Sequence, residues 1–375
     1  MRTYSLTAVA AAVAILLSGC AAAGSGGAAG PSATGSTVGA ARATAPASGA
    51  APTASAATAA SAENALTLTG AATAHTIPDM VPVVRDARPV LPARVKDSTG
   101  RTITVSSAKR ILALDLYGTL TDTVIGLGLQ QRLVGRSNSD TQRVLHDRPV
   151  VTSDGHDLNV EAVLNLRPDV VLTNTTIGNA AEYRRLEAAG VTVVRFAQVP
   201  HLSGIRPAIE QVGRALGMSQ AAAQLAAHTD DELRAARRTI AALRAKTPRK
   251  PRAAVLYVRG TAGVFFILGA DYGAGDVIDT LGLDDVAAKH GITTLKPASA
   301  EGLVSLDPEI LLAMSQGVAS TGGVSGLLKR PGVSATTAGE HRRIVMAADS
   351  QLLSYGPRTP AILVALARAI YTDNS

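Results

Sequence analysis

Tryptophan is absent from this chain of 375 residues, phenylalanine occurs three times and cysteine once. A single cysteine leaves neither a disulfide framework nor a Cys-rich metal site. Aromatic residues make up 3% of the chain and the basic residues are scattered, so the stacking platform and the basic stripe of a nucleic-acid binder are both missing. The excess of 36 Lys and Arg over 29 Asp and Glu, a net +7, then means mild attraction to an anionic ligand or membrane surface. Catalytic signatures are missing too. There is no G-x-S-x-G elbow, no P-loop and no H-E-x-x-H, and Gly126 and Gly128 lack the remaining glycine of a dinucleotide-binding turn.

What is present begins with an address. Met1 and Arg2 supply a short charged start and Leu6 to Leu17 an apolar core too short to span a bilayer comfortably, so residues 1–20 read as a signal peptide. Leu17-Ser18-Gly19-Cys20 resembles the lipobox of bacterial lipoproteins, which implies a lipidated Cys20 as first mature residue and a protein held at the outer face of the cell membrane. From Ala21 to about Ala62 nearly every residue is Ala, Gly, Ser, Thr or Pro, a composition that cannot offset its own ordering entropy. Pro78, Pro82 and Pro89 break any long element after that. Residues 21–92 are therefore expected to form a disordered tether, with the folded body starting at 93.

The body alternates strands with helices. A hairpin turns at Ser98-Thr99-Gly100, and apolar runs at 110–114, 133–137, 169–173 and 191–196 read as strands separated by helices, which argues for a parallel sheet with helices on both faces. This first lobe is placed at 93–217. Leu225, Leu233, Ala236, Ile240 and Leu243 then keep one stripe through a long connecting helix at 218–248. The alternation restarts in a second lobe at 249–375, with strands at 253–257, 265–268, 310–314 and 343–346 and a closing helix at 360–371. The expected fold is α/β: two Rossmann-like lobes joined by a rigid helix, with a ligand cleft between them.

The second lobe carries the sharpest local signal. Ala253 to Leu256 reads as a buried strand, and residues two apart on a strand share a face, so Tyr257 and Arg259 project together into the cleft. A cation beside a phenol favours the phenolate, and a phenolate oxygen is a good ligand for ferric iron. The same spacing also fits a strand edge followed by a solvated arginine.

Together with Leu164-Asn165-Leu166-Arg167-Pro168-Asp169-Val170-Val171 and Leu306-Asp307-Pro308-Glu309-Ile310-Leu311, this architecture resembles the class III substrate-binding lipoproteins of ABC importers for iron chelates, haem and cobalamin, over about Ala93 to Tyr371. Within that group it is most similar to the haem-binding lipoproteins of actinobacterial haem-uptake systems. The resemblance implies haem as transported ligand, with iron held between His156, in Ser153-Asp154-Gly155-His156-Asp157-Leu158, and Tyr257, and with Arg259 hydrogen-bonded to the phenolate. Tyr117, Phe265 and Tyr272 are candidates to line the macrocycle, and Arg136 and Arg358 to meet its propionates. The resemblance further implies a monomer without enzymatic activity that takes haem from donor proteins and docks on an ABC permease through Glu182 and Asp279, the latter standing where relatives usually have Glu. A ferric siderophore or cobalamin is the alternative ligand for the same scaffold; a cleft enzyme is the second alternative.

Overall fold

The computed structural model describes residues 61–153, 156–261 and 263–373. The signal peptide, Cys20 and the tether as far as residue 60 lie outside the described residues. In the first lobe, Ile111–Leu114, Val170–Thr173 and Thr192–Arg195 form a three-stranded parallel sheet. The first two are fully buried along their length, as a parallel sheet covered on both faces requires. Residues 133–137, expected as a strand, contribute only single parallel bridges, Leu133 to Ile111 and Arg136 to Val150. Gly135 packs closely within this stretch: a Cβ there would lie 2.6 Å from Leu166 and 3.3 Å from the Pro149 carbonyl.

The second lobe holds a larger sheet of seven strands, with Ile344–Ala347, Ile310–Met314 and Arg252–Arg259 parallel at its centre. It does not repeat the first lobe. Val264–Leu268 runs antiparallel to Arg252–Arg259, because the connection between them is far shorter than the dozen or so residues a parallel crossover needs. Leu295–Pro297 then adds antiparallel at that edge.

Residues 61–92, expected as part of the tether, are instead built into the body. Ala72–Thr73 pairs in parallel with Ile344–Ala347, the Glu63 N–H donates to the Tyr371 carbonyl at 2.7 Å, and Ala65, Ile77 and Val84 are buried. The segment then crosses to the first lobe, where the Val83 N–H reaches the Gly126 carbonyl at 3.0 Å and the Val90 N–H the Gly217 carbonyl at 2.9 Å. Buried Arg343 ties it down by reaching the Gly70 carbonyl at 3.4 Å and the Ala369 and Ile370 carbonyls at the end of the closing helix at 3.0 and 2.7 Å. Composition gave no hint of this, since the prolines exclude long elements without excluding backbone pairing.

Ser219–Arg244, 26 residues and so about 39 Å long, buries Ala222, Leu225, Ala226, Thr229, Leu233, Ala236 and Ile240 on one stripe. It packs against Ile205–Ala215 of the first lobe and against the closing helix Thr359–Tyr371 of the second. The approach to the first of these is close enough that a Cβ on Gly213 would overlap that of Ala222.

The lobes also meet through buried charge. Asp122, on the helix Thr119–Gly126, pairs with Arg358 at 2.9 Å and accepts from Gln142 Nε2 at 2.7 Å, while Gln142 Oε1 takes the Met80 N–H at 2.7 Å. Burial raises the Asp122 carboxyl to about 6 despite Arg358, and burial together with the charge of Asp115 raises Asp140 to about 7. Both titrate from the ordinary 3.8 in the unfolded chain, so over this interval the folded state holds more protons and stability falls as pH rises.

Two outcomes are expected. Gly213→Ala lowers the unfolding free energy by about 1–3 kcal/mol, read from urea unfolding, and no loss would mean the helices separate freely. Asp140→Asn raises it by about 1–3 kcal/mol above pH 7 and changes it little near pH 4, so the wild-type decline with pH flattens; destabilisation above pH 7 would mean that the ionised carboxylate is favourable.

Candidate ligand-binding site

The strand Arg252–Arg259 is buried without interruption from Ala253 to Leu256, then alternates: Tyr257 and Arg259 are half-buried while Val258 between them is fully buried. The period of two puts the phenol and the guanidinium on the cleft side. The guanidinium carbon lies 4.7 Å from the centroid of the Tyr257 ring, a cation–π contact, and Nη1 donates to the Val258 carbonyl at 2.9 Å. Nη2 pairs with Asp349 and lies 3.7 Å from Met314 Sδ. The resemblance implies a hydrogen bond from Arg259 to the phenol oxygen; here the cation faces the ring instead and its polar partners are Val258 and Asp349.

His156 reaches the cleft by a different device. Thr152–Ser153 and Asp157–Leu158 pair antiparallel, and the tip of this hairpin carries the exposed imidazole. The hairpin is fastened by the Gly178 N–H, which donates to the His156 carbonyl at 2.7 Å. Gly178 has φ of 70°, and a Cβ there would lie 2.9 Å from Glu182 Oε2 and 3.1 Å from Leu158. Asn159 ends the hairpin by capping the helix Val160–Asn165 through the Ala162 N–H at 2.9 Å.

Both devices open on one cavity of about 510 Å³, lined from the first lobe by Tyr117, Asn138 and His156 and from the second by Tyr257, Arg259 and Asp349. A neighbouring cavity of about 530 Å³ shares Tyr117 and adds Phe196, Gln198, Tyr272 and Tyr355. Burial pushes the Tyr117 phenol up to about 12, with the Tyr257 phenol adding to the shift and Arg259 opposing it, so Tyr117 stays a neutral hydrogen-bond donor between the two cavities. The loop that carries it is set by buried Asp115, whose carboxylate accepts from the Thr119 and Leu120 N–H groups at 2.9 and 3.0 Å.

The remaining expected residues lie elsewhere. Phe265 is buried beneath Arg330, whose guanidinium sits 4.8 Å from its ring centroid, and it lines neither cavity. Arg358 is taken up by Asp122, and Arg136 donates at 3.3 Å to the carbonyls of Ser137 and Asp140, so neither faces the cavities. Glu182 closes a capping box at the start of Ala180–Ala188, accepting the Asn179 N–H at 2.7 Å. Asp279 is exposed and pairs with Lys250 at 3.0 Å. Met314, Gln316, Asp349 and Ser350 line the first cavity without having stood out in the sequence. They sit at or just after the carboxyl ends of parallel strands, where open α/β sheets bind ligands, and that position was the available signal.

Among the described residues, no group of three or more His, Cys, Asp or Glu is arranged to hold a metal ion, and no helix is long and apolar enough to cross a membrane. The chain is similar to the crystal structure of the haem-binding protein HmuT, with 39% identity and a TM-score of 0.78 over 83% of this chain and 100% of that one. Variants of HmuT with a tyrosine, a histidine, or the arginine two positions after that tyrosine replaced by alanine have also been solved and match at 38% identity. It is 24% identical over 289 residues to the uncharacterized ABC transporter substrate-binding lipoprotein YvrC of Bacillus subtilis, covering 76% of this chain and 87% of the relative. A cobalamin-binding protein of Halobacterium salinarum is 29% identical over 231 residues, 59% of this chain and 58% of the relative. The fold is the mixed α/β architecture of class III periplasmic binding proteins. With the periplasmic binding protein family matched over residues 115–350, across both sheets and the helix between them, this chain belongs to that family.

Proposed function

We propose that this protein binds haem outside the cell membrane and delivers it to the permease of an ABC transporter, acting as a carrier and not as an enzyme. The observation that carries this reading is that His156 from one lobe and Tyr257 from the other, with Arg259 stacked on the phenol, line a single cavity between the lobes. The haem-binding proteins among its structural relatives, and the solved replacements of a tyrosine, a histidine and an arginine at the same two-residue interval, support it. The chemistry suits ferric haem. Ferric porphyrin carries one net positive charge, a phenolate cancels it, and a neutral imidazole completes the coordination on the opposite face. Because the two ligands belong to different lobes, a modest opening of the cleft separates them and frees the cargo.

In this reading Cys20 carries the lipid anchor, haem donors load the cleft from outside, the carrier works as a monomer, and Glu182 and Asp279 remain the contacts for the permease. Among the described residues that line the two cavities, Arg259 is the Lys or Arg present, and Asp349 engages it. Neutral donors such as Asn138, Ser139 and Thr141 on the cavity wall meet the propionates. Cobalamin is the second reading, favoured by the Halobacterium relative; in that case Tyr257 is a contact and His156 incidental.

Titration of the soluble body with hemin tests this. Wild-type protein is expected to give a sharp Soret band, and His156→Ala and Tyr257→Ala each to alter it and weaken binding by about tenfold or more, about 1.4 kcal/mol. Unchanged spectra in both variants, or saturation by cobalamin in place of hemin, would sink the haem reading.

A further inference from the structure

Two of the three guanidinium nitrogens of Arg259 are engaged before any ligand arrives. Nη1 donates to the Val258 carbonyl, Nη2 pairs with Asp349, and Met314 Sδ lies against the same nitrogen. Asp349 is itself held, its Oδ1 accepting the Gln316 N–H at 3.0 Å. Gly317 leaves room for the arrangement: a Cβ there would overlap Nη1. The parts come from the carboxyl ends of three adjacent parallel strands, Arg252–Arg259, Ile310–Met314 and Ile344–Ala347, so sheet geometry brings Asp349 to Arg259 across 90 residues of chain.

This matters for the phenol. An arginine free to turn would donate to a phenolate oxygen and draw charge away from whatever that oxygen coordinates. Clamped by Asp349, the guanidinium sits over the Tyr257 ring, and the carboxylate offsets its positive charge. We propose that Asp349 is a positioning residue of the ligand site: it holds Arg259 over the Tyr257 ring and offsets its charge, so that a bound haem keeps its phenolate donor undiminished and remains ferric. The proposal rests on the haem reading for its consequence and on the cavity wall alone for its geometry.

Asp349→Asn separates charge from shape, since the amide oxygen still accepts the Gln316 N–H. In the ligand-free protein the side-chain ¹⁵N–¹H resonance of Arg259, assigned by its loss in Arg259→Lys, is expected to be sharp in wild type and to shift and broaden in the Asn variant. With hemin the Asn variant is expected still to bind, with the ferric–ferrous equilibrium displaced about tenfold toward ferrous, a rise of about 59 mV in midpoint potential. Removing a negative charge near the iron disfavours the more positive oxidised state, and a freed Arg259 acting on the phenolate works in the same direction. Asp349→Glu, which keeps the charge, is expected to stay near the wild-type potential. An unperturbed Arg259 resonance in Asp349→Asn, or a midpoint potential equal to that of wild type, overturns the proposal. Should wild-type protein fail to bind hemin, the haem reading falls while the ligand-free resonance still decides the positioning.

Discussion

A buried carboxylate from one lobe and a largely buried guanidinium from the other, Asp122 and Arg358, meet at 2.9 Å. The rest of the arrangement depends on that meeting. Two charges buried together gain little net stability, but separating them leaves each one unpaired in a poorly solvated place, at a cost of about 3–5 kcal/mol. The pair therefore specifies a relative placement of the lobes more than it strengthens either. Gln142, which donates to Asp122 and accepts the Met80 N–H, extends the contact to the segment that precedes the first lobe.

With the lobes so placed, the cavity wall is assembled from unlike parts. One side is a hairpin held by the Gly178 N–H on the His156 carbonyl, by the Val151 N–H on the Arg136 carbonyl and by the Thr152 hydroxyl against Asn138. The other is the end of a central strand, where Val264–Leu268 pairs along Tyr257 to Arg259 and Asp349 holds the guanidinium. In the proposed carrier one lobe would supply the anionic ligand Tyr257 and the other the neutral ligand His156.

The alternation of strands and helices was legible because each element carries its own period. The buried runs at 111–114, 170–173 and 310–314 and the 26-residue helix needed no partner to be recognised. Tyr257 and Arg259 were legible as a pair on one face for the same reason, since spacing along a strand dictates it. Sheet composition was less so. The antiparallel strand Val264–Leu268 follows from a short turn rather than from its own residues, and Ala72–Thr73 joins an edge through backbone groups that any sequence possesses.

The sequence by itself determined which stretches become buried strands and helices, and that a phenol and a guanidinium two residues apart would face one cleft, because these follow from local periodicity. Only the tertiary structure decided what each charge does. Arg358 is spent on the lobe contact, Arg136 turns to backbone carbonyls, and Arg259 is shared between Tyr257 and an aspartate 90 residues away. The reason is that a side-chain cation takes whichever carboxylate or carbonyl the packing brings within reach while water is excluded, and that choice is made between elements far apart in the chain.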